Sequence, residues 1–382
     1  MAYTTQKHQQ HMSTTLNTND LLFGENSANV HRLVLQATLV PITGDLFQPA
    51  GFPDIGHVIY DAPRKDGTKE KVCVMDSAAS MANHLEAVSL ASTQTLELHT
   101  DLEGMPYLQC FTDAPGTTNG TAPTRLVVTS LSEGHRLASS YFLDEKGKVV
   151  RGNAVSGDNF STVLREGFGI PDLGKKTHPL PGDWWNVFRT IFRYDPNSLV
   201  HGILFPAMGI KLSRVLTAHH EAFGADRVGL SGVKFDKLGK TTSGQPIFSV
   251  DKETAREIRA TFVIDLSLVR SFGRGEQGLN NSQKQFLLEL ALWKIERLFS
   301  GPYRFRSGCD LQLATLARVE NGQATELSPT TLQRDIQAAI RNAGFADPRI
   351  TQVYWPADEL FKTAKEEDKE PDAEEETEGN AD

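Results

Sequence analysis

Residues 260–306 decide the fold. They run Ala260-Thr-Phe-Val-Ile-Asp265-Leu-Ser-Leu-Val269, then Arg270-Ser-Phe-Gly273-Arg274-Gly275-Glu-Gln-Gly278, then a periodic stretch over 282–299, then Pro302-Tyr303-Arg304-Phe305-Arg306. The first ten residues are apolar and β-branched, which predicts a strand. The glycines predict a turn, and the periodicity of 282–299 predicts the clearest helix of the chain. Upstream, 32–40 reads as the first strand, and 58–60 with 71–75 as a hairpin around Arg64-Lys-Asp-Gly67. A helix follows Asp76, and strands are expected at 96–102, 107–111 and 125–129. The pattern predicts helices over 130–143, 184–193, 209–223 and 330–343, and strands at 199–205, 309–314 and 351–355. Strands and helices do not alternate regularly. The order therefore predicts an α+β fold, with a mostly antiparallel sheet and helices on one face.

A chain of 382 residues with 39% hydrophobic content can bury a substantial core. No run approaches the roughly 18 apolar residues of a membrane span. The polar start, Met1-Ala-Tyr-Thr-Thr-Gln-Lys-His, lacks the apolar block of a secretory signal. Cys73, Cys110 and Cys309 lie far apart, which excludes a CxxC zinc site and points to a reducing, cytoplasmic setting. The net charge of −9 is uneven: residues 365–382 hold ten Asp/Glu and two Lys, whereas 184–306 hold 18 Lys/Arg and 11 Asp/Glu. Three regions are expected: a flexible N-terminus over 1–28, one domain over 29–360, and a disordered acidic tail over 361–382.

The chemistry concentrates in the glycine-rich turn and the cations around it. Gly273-Arg-Gly275-Glu-Gln-Gly278 fits G-x-G-x-x-G between a strand and a helix. In a dinucleotide fold an acid ends the next strand and meets a ribose, but Glu296 falls inside the 282–299 helix. A nucleotide-dependent enzyme using the Gly273–Gly278 loop is thus the second reading. The first is a loop whose glycines let backbone N–H groups approach phosphates, with arginine countercharge and aromatic rings suited to unpaired bases. Neither HExxH, Walker A nor G-x-S-x-G occurs, so no metal or cofactor is expected. Arg189 and Arg193 share one helix face, free for phosphate or solvent.

Five blocks in order carry a resemblance: Phe47-Gln48-Pro-Ala-Gly-Phe52-Pro-Asp-Ile-Gly56, Asp76-Ser-Ala-Ala-Ser-Met-Ala-Asn83-His84-Leu-Glu86, Ser132-Glu-Gly-His135-Arg136-Leu-Ala-Ser139, Asp195-Pro-Asn-Ser-Leu-Val-His201-Gly202 and Gly232-Val-Lys234. With them the chain resembles the backbone subunit of type I-G (formerly I-U) CRISPR effector complexes, in the repeat-associated mysterious protein superfamily. The resemblance implies an RRM-like core with inserted loops. It also implies several copies stacked along the spacer part of a guide RNA (crRNA), which then reads a target DNA strand beside other effector subunits. In type I relatives this subunit is non-catalytic. A protruding β-hairpin "thumb" is implied, with 224–250 as candidate and 144–183 and 112–124 as competitors. On this view Arg270, Arg274, Arg304, Arg306 and Lys234 contact phosphates, and Gly273 and Gly275 give close backbone approach. Gln48 and Phe52 touch the guide or the adjacent subunit, while Asn83, His135, Arg136 and His201 line the same groove.

Overall fold

The computed structural model describes residues 16–52, 56–113, 125–152, 154–170, 180–229, 252–306 and 309–360. Lys234, Asp54 and the acidic tail lie outside the described residues. The main sheet is built on four strands: β1 (Arg32–Pro41), β2 (Leu216–Phe223), β3 (Glu257–Asp265) and β4 (Cys309–Glu320). They lie in the order β4-β1-β3-β2, and each neighbouring pair is antiparallel. Two helices connect across them: α1 (Ala78–Ala87) lies between β1 and β2 in the chain, and α2 (Asn281–Leu298) between β3 and β4. Strands Lys69–Asp76 and Ile59–Pro63 extend the sheet beyond β2, forming the expected hairpin. Tyr303–Arg306 and Gln323–Leu327 both pair with β4.

Alternation along the strands sets which face is covered. Leu33, Leu35, Ala37 and Leu39 of β1 are buried, as are Ile258, Ala260, Phe262 and Ile264 of β3. Their chain neighbours point to the other face and are half-buried. Phe262 meets Phe299 at 5.7 Å, which puts the buried face under the end of α2. α2 is buried over most of its length, from Phe286 through Leu298, the mark of an internal helix. On its far side Phe286 packs on Phe192 and Phe345, at 6.0 and 5.0 Å. A second, five-stranded sheet includes one parallel pair, Tyr107–Thr112 beside Ile350–Trp355. The fold is therefore α+β with mostly antiparallel sheets, as expected. Among the described residues no helix is long and apolar enough to cross a membrane.

Several expected elements differ. Residues 209–223 form strands, Ile210–Leu212 and β2, where a helix is expected. β2 alternates buried and open positions and is held between β3 and Lys69–Asp76, so sheet pairing overrides the local preference of its alanines. β3 ends at Asp265, whose carboxylate accepts from Leu268 N at 2.8 Å and starts a short helix, Leu266–Ser271. Of the strand expected at 199–205, Ile203–Phe205 forms one, whereas Pro196–His201 is a helix with proline in its first turn. Residues 130–143 form only short turns of helix, Arg136–Ala138 and Ser140–Leu143. Residues 16–28 are not a free terminus: helix Thr18–Phe23 buries Leu21 and Leu22 and hydrogen-bonds α2 from Thr18 to Glu289.

The sidedness of the sheet has a direct test. Ala37, Ala260 and His220 lie in register on the covered face, the alanines leaving room for the imidazole. Ala260→Leu should cost about 1–3 kcal/mol in denaturant unfolding through overpacking. Thr261→Leu, on the opposite face, should stay within about 0.5 kcal/mol.

Candidate nucleic-acid interface

The glycine-rich segment is a small hairpin, Gly273 pairing Gly278 and Arg274 pairing Gln277. Its glycines serve packing. A Cβ on Gly273 would lie 1.9 Å from the Leu279 carbonyl, and one on Gly278 would lie 2.3 Å from the Phe272 carbonyl. Arg189, from helix Trp184–Tyr194, donates Nε to the Gly278 carbonyl at 3.0 Å and Nη2 to the Glu276 carbonyl at 2.8 Å. Lys284 donates to the Gly273 carbonyl at 3.2 Å. The hairpin thus turns carbonyl oxygens toward cations, the reverse of a phosphate loop, which presents N–H groups. Only its tip is open: Arg274 is exposed with no partner among the described residues, and a Cβ on Gly275 (φ +58°) would meet nothing within 4 Å. Arg270 is also occupied, donating to the carbonyls of Val30 at 2.9 Å and Leu21 at 3.3 Å.

The cation–aromatic strand at 303–306 is not beside that hairpin. The 18-residue α2 separates them, a span of about 27 Å at 1.5 Å per residue. The expectation that both bracket one surface is therefore corrected.

Four more expected contacts fall around a buried charge network. Arg136, buried and with φ +54°, donates Nε and Nη2 to the two carboxylate oxygens of Glu86 at 2.5 and 2.8 Å, and Nη1 to the Gly202 carbonyl at 3.1 Å. Asn197 donates to Glu86 Oε1 at 3.2 Å. Lys294 of α2 donates to the Leu85 carbonyl at 3.0 Å and Ser89 Oγ at 2.7 Å, and burial pulls it down to about 7. Asp195 accepts from Ser198 at 2.7 Å, and burial pushes its carboxyl up to about 7. His201 is buried, and burial, with Lys294 and Arg136 next, holds it well below the usual histidine range. Arg136 and His201 therefore present nothing to a ligand. Asn83 and His135 are exposed at the rim of this region. Asn83 lines a pocket of about 310 Å³ with Glu86, Ser132 and Glu133, and His135 Nδ1 lies 3.6 Å from Glu133.

The remaining residues gather at one end of the main sheet. Arg304, on edge strand Tyr303–Arg306, is exposed and has no partner among the described residues. A bulge at Phe305 shifts the pairing, so that Arg306 lies opposite Cys309. The Arg306 guanidinium covers the Phe305 ring at 5.0 Å and touches Asp76 Oδ1 at 3.4 Å. Burial pushes the Cys309 thiol up and Asp310 adds to the rise, against the Gln48 backbone and the charges of Arg306 and Lys252. Lys252 belongs to a two-stranded ribbon, Asp226–Val228 with Lys252–Thr254. That ribbon is the stem of the candidate thumb; residues 230–251 lie outside the described residues.

The loop holding Gln48 and Phe52 buttresses this stem. Phe47 and Glu253 exchange backbone hydrogen bonds at 2.9 and 3.0 Å. His57 Nδ1 meets buried Glu253 Oε1 at 2.9 Å, Gln48 Nε2 meets His57 Nε2 at 3.1 Å, and Arg227 Nε donates to the same Glu253 oxygen at 3.1 Å. Phe52 itself pairs with Gly56 in a short ribbon. Of the expected contacts, then, Gln48 and Arg306 act on Cys309 together with Lys252, His84 shares Asp76 with Arg306, and Arg304 lies on the same edge strand, opposite Asp310. Lys252 and His84 carried no distinguishing sequence signal. Lys294 did, as a cation within the apolar run Leu290–Ile295.

A family model described as CRISPR-associated protein GSU0053 matches residues 33–227, just over half of the chain. The match covers the first four of the five blocks and stops before Gly232-Val-Lys234. No curated protein matches. Among solved structures, the crystal structure of Thermofilum pendens Csc2 is 12% identical, over 82% of this chain and 72% of that one, with a TM-score of 0.27. At that score the likeness carries no argument.

The buried network yields two expectations. Arg136→Ala strands the Glu86 carboxylate and should cost about 3–5 kcal/mol in urea unfolding. Asp195 binds its proton more tightly folded than unfolded, so its contribution is present below about pH 4 and is lost as pH rises toward about 7. Asp195→Asn should flatten that decline in a pH series of melting temperatures.

Proposed function

The chain belongs to the CRISPR-associated protein GSU0053 family, and we propose that it is an RNA-binding backbone subunit of a Cascade effector complex. Several copies would coat the spacer part of the guide RNA and present it for pairing with target DNA, in contact with one another and with other subunits. The observation that carries this reading is the set of cations along this sheet edge and stem: Arg304, exposed with no partner among the described residues, Arg306 on the same strand, and Lys252 on the ribbon. A subunit that holds any spacer must grip phosphate and sugar and leave base edges to the target. Exposed or half-buried cations suit that task.

The order β4-β1-β3-β2, with α1 and α2 as crossovers, supports an RRM-like core. The Asp226–Val228 and Lys252–Thr254 stem supports a thumb at 224–250. In this reading the subunit does no chemistry, and the reaction belongs to a partner. An enzyme built on Gly273–Gly278 is the weaker alternative, because Arg189 and Lys284 already occupy the carbonyls that line that hairpin.

The experiment is filter binding of single-stranded RNA to a double variant, Lys252→Ala with Arg304→Ala. Affinity should fall about tenfold or more, equally for all sequences, and the log–log salt slope should shrink by about 1 to 2. Unchanged affinity and slope would overturn the assignment of this surface.

A further inference from the structure

A second cationic concavity lies at the start of α2, while the edge strand carrying Arg304 follows its end. A pocket of about 480 Å³ opens between helix Trp184–Tyr194, the Gly273–Gly278 hairpin, the first turn of α2 and the turn at Gly344. Arg189 and Arg193, one helical turn apart, line it and are both exposed. The stacked rings of Phe192 and Phe345, 4.9 Å apart, form an apolar wall. We propose that this pocket binds a phosphate group, held by side chains and not by the hairpin backbone. The inference goes beyond the RNA-holding edge and does not depend on it.

The donors decide the ligand class. A guanidinium carries five N–H groups. Arg189 spends two of them, on the carbonyls of Gly278 and Glu276 at 3.0 and 2.8 Å. Those bonds fix its plane, and its other N–H groups stay available. A donor fixed beforehand loses less freedom when a ligand arrives. Arg193 makes no hydrogen bond or ion pair among the described residues; its guanidinium lies over the Tyr194 ring at 5.5 Å. Gln283 accepts from Asn280 N through Oε1 at 3.0 Å, in the capping box that starts α2. That bond leaves the Gln283 Nε2 amide as a further donor among the described residues. Three donor groups from two helices therefore line one concavity. A phosphate presents three strong acceptor oxygens around a tetrahedron, whereas a carboxylate presents two in one plane. The first matches donors set on different walls.

The field has the same sign. The first turn of the 18-residue α2 adds the positive end of its dipole. Glu276 is the one carboxylate lining the pocket among the described residues.

The test is isothermal titration calorimetry of inorganic phosphate into the full chain at fixed ionic strength. Wild type should bind it, and Arg193→Ala should weaken binding about tenfold, the loss of one charged hydrogen bond. Arg193→Lys should recover part of that loss, since it restores the charge without the fork. Glu276→Gln should tighten binding about threefold by removing the opposing charge. Lys65 is an exposed cation on the turn of hairpin 59–76, beyond the start of β3, whereas the glycine hairpin follows its end. Lys65→Ala should change the affinity by less than about twofold. Melting curves establish that each variant is folded. Competition then identifies the source of the phosphate. Displacement by a 5′-phosphorylated RNA oligonucleotide but not by its 5′-hydroxyl form assigns a chain end. Displacement by both assigns internal diesters, and displacement by neither assigns a small phosphate compound. A glutamate-rich peptide should not compete. Absence of phosphate binding, equal affinity in wild type and Arg193→Ala, or displacement by the peptide would overturn the inference, and each would leave RNA binding at the Arg304 edge untouched.

Discussion

One buried contact organises the interior: the guanidinium of Arg136 on the carboxylate of Glu86. Removing two charges from water costs several kcal/mol per ion, and the contact repays this only through good geometry and further hydrogen bonds. Both are present. Two N–H groups reach two oxygens, the third reaches Gly202, and Asn197 adds a donor to Glu86. Arg136 even adopts a left-handed backbone to do so, a strain that the surrounding contacts hold in place. Lys294 brings α2 into the same cluster through Leu85 and Ser89. Four segments distant in sequence are thereby fixed in register. Because an unpaired partner would be costly, none can drift independently.

That arrangement changes what the sequence blocks mean. Glu86, Arg136, Asn197, His201 and Gly202 belong to the blocks that carry the family resemblance, yet all are internal. The Phe47–Gly56 block holds a hairpin stem through Glu253 and His57. The resemblance is thus mainly one of scaffolding, and the surface proposed to hold RNA is built from cations outside or at the margins of those blocks. Lys252 carries no sequence pattern, as expected of a cation proposed to contact a uniform phosphate chain. The Gly273–Gly278 hairpin shows the converse: a suggestive pattern whose glycines are required by packing against Leu279 and Phe272.

The sequence was a good guide where a local rule and the tertiary environment agree. β1, the hairpin 59–76 and α2 were all legible from alternation, turn residues and periodicity, and the CRISPR family from the ordered blocks. β2 was not, because Ala218, Glu221 and Ala222 suit a helix and only pairing with β3 makes them a strand. The site was half legible. Arg304, Arg306 and Gln48 were expected as contacts; Gln48 and Arg306 both act on Cys309, and Arg304 lies on the edge strand beside it. Arg270 and Arg136 look no different in sequence, but their partners are carbonyls and a carboxylate between 50 and 249 positions away. Periodicity reports the face of one element; it is silent on which distant backbone group waits opposite a cation.

The central claim is that a cationic sheet end holds single-stranded RNA through its phosphates, whatever the bases. Titrating oligonucleotides of uridine, adenosine and mixed sequence against the full chain, from 50 to 300 mM salt, measures this most directly. Parallel lines of log affinity against log salt are expected, each with a slope near −0.7 per phosphate contacted and offsets of less than about tenfold between sequences. A slope near zero, or strong preference for one sequence, would contradict the account.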